Sequence, residues 1–232
     1  MNDLIKVLIP TRNRNEKLTK CVKSIFECIH HTSFLRGRVT PFICFDNDGI
    51  SLDEFEQTEL SKVCSLRNMY GNFAYADIPK GEPYGSIMVR NYALGERFDC
   101  SFINATDDIE FQEDSITIAY ECLVTHFKDL DGVVGFSQDL DHDKGGVFLM
   151  GKKFMDRYLD QNICVFNPQY WHFGAQEVRW LAEKLDRFVY CKEAMVNHAH
   201  PSLGAKAIAF IVNHKSLYAF SIPFISNIRL AL

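Results

Sequence analysis

Lys6-Val7-Leu8-Ile9-Pro10, followed from residue 18 by Leu18, Cys21, Val22, Ile25, Phe26 and Ile29, decides the fold class. The first run is apolar after Lys6 and stops at a proline that withholds its N–H, the pattern of a buried strand. The second series recurs at i, i+3, i+4 and i+7, which makes one apolar stripe on a helix that faces a sheet. Asn13 or Asn15 suits the N-cap of that helix.

The alternation continues outward. Val39-Thr40-Pro41-Phe42-Ile43-Cys44-Phe45 predicts a second strand, ended by Asp46-Asn47-Asp48-Gly49, whose short polar side chains and glycine suit a tight turn. Residues 52–66 give a weaker helix and residues 72–76 a third strand. A helix through Met88, Arg90, Asn91 and Leu94 leads to a fourth strand at 100–105, which ends at Thr106-Asp107-Asp108. Strands interleaved with helices over residues 4–110 predict an α/β domain with a mixed, mainly parallel sheet flanked by helices. Ligands of such sheets gather beyond the carboxyl ends of the strands. That rule selects Thr11-Arg12-Asn13-Arg14, Asp46-Asn47-Asp48 and Thr106-Asp107-Asp108. Further on come a helix carrying Ile116, Tyr120, Leu123 and Phe127, short strands at 132–136 and 146–150, a helix at 174–186 and a strand at 188–191.

Composition agrees with a globular enzyme-sized domain: 232 residues, 47% hydrophobic and 24% charged. Lys plus Arg is 25 against Asp plus Glu at 30, so the net charge of -5 provides no overall basic field for a polyanion. The 8 cysteines are scattered without a C-x-x-C pair and read as small buried hydrophobes of a reducing compartment. No basic stretch followed by a long apolar run opens the chain, so a cytoplasmic location is expected. Residues 205–232 are strongly apolar but broken by Asn213-His214-Lys215 and Pro223, short of the roughly 18–20 residues of a spanning helix. Packing on the domain is the first expectation for this tail, and a homodimer contact or shallow peripheral membrane contact the next. Residues 1–204 read as the domain, with a nucleotide half near 4–110 and an acceptor half at 111–204.

Adjacent carboxylates at a strand end, Asp107-Asp108, are hard oxygen ligands of the kind Mg²⁺ or Mn²⁺ uses when it also holds a diphosphate. By themselves they read more readily as a turn or a helix cap. Arg12, Arg14 and Arg90 carry forked donors suited to phosphate, with solvated surface charge as the alternative.

The order of these strand ends resembles the GT-A fold glycosyltransferases, particularly the large inverting family 2. That family's first strand reads hhIPTRNR, matched by Leu8-Ile9-Pro10-Thr11-Arg12-Asn13-Arg14. Its acidic second-strand end is matched by Phe45-Asp46-Asn47, its ARN helix by Val89-Arg90-Asn91, and its metal motif by Thr106-Asp107-Asp108. Tyr170-Trp171-His172-Phe173-Gly174-Ala175-Gln176-Glu177 looks like the acceptor segment that ends in the catalytic carboxylate. Val196-Asn197-His198-Ala199-His200-Pro201 looks like the segment that closes the site. The resemblance runs over residues 4–203.

It implies a metal-dependent inverting transfer of a sugar from a nucleoside-diphosphate sugar, with UDP-sugar as the expected donor, to a hydroxyl acceptor. In this reading Pro10, Thr11, Arg12, Arg14 and Arg90 line the donor site, Asp46 and Asn47 meet the base or ribose, and Asp107 faces the ribose or sugar. Asp108 holds Mn²⁺ or Mg²⁺ with His198, for which His200 is the competing choice. Glu177, at a helix N-terminus that favours its ionised form, deprotonates the acceptor, while Trp171 and His172 contact it. Many relatives carry a second acid where this chain has Ala175-Gln176, so Glu177 stands alone. The acceptor classes left open are a saccharide, a protein and a hydroxymethylated DNA base, the last requiring a basic face beside Trp171. Two other readings stay open from sequence: a nucleotidyltransferase, which lacks support because no glycine follows the first strand, and a non-catalytic nucleotide-sugar binding module.

Overall fold

Ile5, Val7, Leu8 and Ile9 of β1 (Ile5–Thr11) have no exposure to water. A strand this apolar on both faces is stable only inside a sheet covered on both sides. In the computed structural model β1 lies between β2 (Val39–Phe45) and β4 (Ser101–Asn104), parallel to both, and β3 (Ala74–Asp77) pairs in parallel with β2. The structure describes residues 3–12, 14–30, 34–45, 57, 58, 61, 74–77, 86, 87, 90, 91, 94, 100–138, 146–161, 163–168 and 174–198. The remaining strands are β5 (Ile109–Phe111), β6 (Val133–Gln138), β7 (Phe148–Met150) and β8 (Phe188–His198). Together they form a mixed sheet of order β3-β2-β1-β4-β7-β6-β8-β5, antiparallel where β7 meets β4 and β6 and where β5 meets β8. β6 and β8 are parallel.

The described helices are α1 (Asn15–His30), α2 (Ser115–His126), α3 (Lys152–Leu159) and α4 (Gly174–Lys184). The predicted stripe of α1 is buried at every position from Leu18 to Ile29, and it shares one core with Ile9, Ile43, Ile103, Ile116 and Val134. The expected asparagine cap is replaced: Asn15 is already helical, and Leu18 N–H donates to Arg14 O at 3.0 Å, so Arg14 takes the cap position. Asn13 lies outside the described residues. α2 begins after Asp114 in a left-handed conformation, and Ile116 N–H donates to Cys28 Sγ at 3.2 Å, so a buried cysteine of α1 caps α2.

The sequence did not announce β5 or α3. Three residues are too few to show a period, and α3 hides Phe154, Met155 and Tyr158 in an eight-residue charged stretch. β8 runs to His198, well past the expected end at 191. The helical state of residues 86, 87, 90, 91 and 94 agrees with the expected helix there. The expected turn at 46–49, most of the helix at 52–66 and the tail at 205–232 lie outside the described residues. Contacts group Met1–His198 into one compact unit. Among the described residues no helix is long and apolar enough to cross a membrane.

One feature of the topology places the site. β1, β2, β3, β4, β6 and β8 all end on the same edge, because β7 and β5 are the strands that run the other way. Between β4 and β5 only residues 105–108 intervene, yet the two strands are separated by β7, β6 and β8. Four strand spacings of about 4.8 Å come to about 19 Å on a flat sheet. Five extended steps span at most about 18 Å. The sheet therefore curls, and Ala105-Thr106-Asp107-Asp108 crosses the edge where the parallel strands end.

Candidate active site

Register alone brings Thr11 to Asp107. Leu8 is opposite Asn104 in the β1–β4 pair, and Ala105 N–H continues the ladder to Leu8 O at 3.1 Å, so three further steps along both chains align Thr11 with Asp107. Thr11 Oγ1 donates to Asp107 Oδ2 at 2.7 Å. Arg14, projecting from the cap of α1, places Nη2 2.7 Å from Asp107 Oδ1 and Nη1 3.4 Å from Asp108 Oδ2, while Lys17 Nζ lies 3.8 Å from Asp108 Oδ2. The Arg14 contact to Asp107 is an ion pair without an aligned hydrogen bond, since Asp107 Oδ1 has no hydrogen-bond donor.

Asp108 reaches the opposite flank. β5 begins one residue later, and Ile109 is opposite His198 in the β5–β8 pair. His198 Nε2 thus comes 3.5 Å from Asp108 Oδ1, the oxygen that also accepts from the Thr106 hydroxyl at 2.5 Å. The other ring nitrogen, Nδ1, is 3.0 Å from Oε1 of Gln138 at the end of β6. A register shift makes this meeting possible: Phe136 is opposite Cys191 but Ser137 is opposite Met195, so β8 gains three residues and swings toward β5.

Burial acts on the two acids with different results. It pushes the carboxyl of Asp107 above its ordinary range, against the Thr11 hydrogen bond and the Arg14 charge that favour ionisation. It opposes ionisation of Asp108 as well, but there His198, Thr106 and Arg14 together prevail and hold that carboxyl well below the usual carboxylate range. Asp108 is therefore ionised at neutral pH and 7% exposed.

As metal ligands, the carboxylate of Asp108 and the imidazole Nε2 of His198 form a hard and borderline donor set that suits Mn²⁺. Among the described residues no three of His, Cys, Asp and Glu are grouped to hold an ion. Two protein donors leave positions for phosphate oxygens and water, which is how Mg²⁺ and similar ions are commonly held beside diphosphates.

Burial pulls the pKa of Arg90 down to about 10, and its guanidinium donates through Nη2 to Ala105 O at 2.8 Å and through Nη1 to Ser86 O at 3.2 Å. Its fork thus holds the backbone entering Thr106-Asp107-Asp108. The other face of the guanidinium lies 5.7 Å from the Phe166 ring centroid. Phe166 is fixed by reciprocal bonds with Asn91, Nδ2 to Phe166 O at 2.6 Å and Phe166 N–H to Oδ1 at 3.1 Å. A Cβ on Gly174 would come 2.8 Å from Ile87 Cδ1 and 3.2 Å from Phe166 Cδ1, so a larger residue there would have to shift these side chains where α4 starts against the cluster. Glu177 follows in the first turn of α4, half-buried, with its charge felt by the buried Tyr158 hydroxyl.

The site residues expected from sequence divide accordingly. Thr11, Arg14, Asp107, Asp108 and His198 are brought together. Pro10 is buried within β1, and Arg12 is exposed just past it. Asp107 is buried with its carboxylate against Thr11 and Arg14. Asp46, Asn47, Trp171, His172 and His200 lie outside the described residues. Lys17 and Gln138 were not anticipated. Lys17 is signalled only by lying one turn past Arg14 on α1, and Gln138 by nothing before the β6–β8 register is known.

A curled mixed sheet whose parallel strands end beside an Asp-Asp crossing is the GT-A fold, and solved structures agree. The chain resembles the mannosyltransferase PcManGT from Pyrobaculum calidifontis, solved with GDP-Man and Mn²⁺, with a TM-score of 0.64 and 11% identity over 90% of this chain and 60% of that one. It also resembles S. aureus TarS in complex with UDP-GlcNAc, with a TM-score of 0.60 and 11% identity over 84% of this chain and 58% of that one. The chain thus spans about 60% of the length of these two structures. No protein-family model matches the sequence, and no curated protein does.

Proposed function

We propose that the chain is a nucleotide-sugar-dependent, inverting glycosyltransferase that uses Mn²⁺ or Mg²⁺. The observation that carries this reading is the meeting of an ionised, buried Asp108 with His198 at the edge where the parallel strands end. The nucleotide sugars held by the similar structures support it. Asp108 and His198 would hold the cation, which supplies positive charge to the departing diphosphate. Thr11 and Arg14 keep Asp107 in place beneath the crossing, and Arg90 fixes Ala105 before it. Glu177 takes the acceptor hydroxyl proton, helped by its place in the first turn of α4, where the helix dipole favours a carboxylate. A UDP-sugar as donor, Asp46, Asn47 and Arg12 near the nucleotide, and Trp171 and His172 against the acceptor complete the proposal.

The test is incubation with Mn²⁺ and a panel of nucleoside-diphosphate sugars, following release of the diphosphate. Transfer or hydrolysis that disappears in Asp108→Ala is expected. Donor binding without turnover that is indifferent to Asp108→Ala and Glu177→Gln would replace the enzyme reading with a binding module.

A further inference from the structure

Gln138 is buried at the end of β6, with its carboxamide oxygen 3.0 Å from His198 Nδ1. That oxygen can only accept, so it requires a proton on Nδ1. With Nδ1 protonated, Nε2 is the nitrogen left to change partners, and Nε2 is the one 3.5 Å from Asp108 Oδ1. The pairing depends on the register shift in the β6–β8 ladder: without the three extra residues of β8, Gln138 would stand opposite Glu193 instead of Val196. Val196 and His198 are two apart on one strand and share a face, so the shift is what puts the carboxamide beside the imidazole.

We infer that Gln138 is a positioning residue for a divalent-cation site. It fixes the tautomer and plane of His198, so that Nε2 is presented beside Asp108 as a ligand. The inference rests on the proposed metal-dependent reading and extends it from the ligands to the group that orients one of them. Partners of this kind characteristically change metal affinity about 10–100-fold when removed.

The experiment measures Mn²⁺ binding by the electron paramagnetic resonance signal of free Mn²⁺, with no substrate present. Gln138→Leu removes the acceptor and is expected to weaken binding about 10–100-fold. Gln138→Glu keeps an acceptor and is expected to bind within a few-fold of the native chain. Nitrogen-15 spectra of the native protein loaded with diamagnetic Zn²⁺ in place of Mn²⁺ are expected to show His198 keeping its proton on Nδ1, with Nε2 turned to the cation. Since this needs no variant, the proposal is testable even where Gln138→Leu fails to fold. A cation-loaded native His198 with no proton on Nδ1 overturns the inference. So does unchanged affinity in Gln138→Leu while Asp108→Asn binds weakly, an outcome that leaves the metal reading intact. Unchanged affinity in Asp108→Asn overturns the metal reading and the inference with it.

Discussion

The strands β3-β2-β1-β4 and the strands β7-β6-β8-β5 hold the two adjacent aspartates differently. From the first group and the helix that follows β1 come the side chains that bind Asp107, Thr11 at the end of β1 and Arg14 at the cap of α1. Asp108 also meets Arg14, but its partner from the second group is His198, braced by Gln138. Burial is similar at the two sites, yet the Asp107 carboxyl is pushed up and the Asp108 carboxyl is held down. What separates two neighbouring acids is therefore the flank of the sheet that each one reaches. Asp107 ties the crossing to its own half, and Asp108 joins the halves.

The largest expected effects test that division directly. On the proposed function, Asp108→Asn removes charge from the point where both halves meet and should lower transfer by on the order of 100-fold or more. Asp107→Asn should cost distinctly less, because its contacts are internal to one half. Steady-state rates with saturating Mn²⁺ and donor decide it, and equal losses would break the comparison. Glu177→Gln should lower transfer by about 10²–10⁴-fold while donor affinity, measured by calorimetry, stays near the native value. A donor affinity that falls with the rate would instead place Glu177 in the donor site.

Most elements of both halves were legible in the sequence, but the pairing that builds the site was legible only in the first, for a physical reason. β1, β2 and the stripe of α1 are long enough to show their periods, and two parallel apolar strands of known ends bring Thr11 beside Asp107 by counting residues. The second half depends on pairing over long separations and on a register shift between Phe136 and Ser137 that leaves no mark in hydrophobic periodicity. His198 was reachable only through a family resemblance, and Gln138 not at all. That Arg14 reaches both aspartates was hidden because side-chain direction at a helix cap is invisible before the helix start is known. Nor does the sequence show that Ala105 O and Ser86 O lie within reach of Arg90.

Acid stability should report the same division without any substrate. Asp108 has a folded pKa below its unfolded value of about 3.9, so its ionised form contributes stability above that value, and the contribution is lost as pH falls through the folded pKa. Asp107 has a folded pKa above its unfolded value. Its contribution is present below about pH 3.9 and is lost as pH rises through the folded pKa. In chelator-treated protein, denaturant unfolding at stepped pH should show the deficit of Asp108→Asn growing as pH rises toward about 4. The deficit of Asp107→Asn should shrink as pH rises above it. Slopes of the same sign would mean that the two acids titrate as one unit.

The smallest effects lie within the first half, where two substitutions should separate a buried contact from an exposed one. Thr11→Val keeps shape but withdraws a hydrogen bond from a carboxylate with no exposure to water, and leaving a buried acceptor short costs about 1–3 kcal/mol. Because the Thr11 hydroxyl favours the ionised form of Asp107, the penalty should be greatest near neutral pH and should decline in acid as Asp107 takes up its proton. Lys17→Met removes a charge 3.8 Å from Asp108, but the lysine side chain is 41% exposed, and solvent screening holds such pairs to about 0–1 kcal/mol. Equilibrium unfolding of both variants should therefore rank Thr11→Val as the more destabilised at pH 7. The reverse order would show that the aspartate pair is held more by the cationic face of α1, through Lys17 and Asp108, than by the register of β1 with β4.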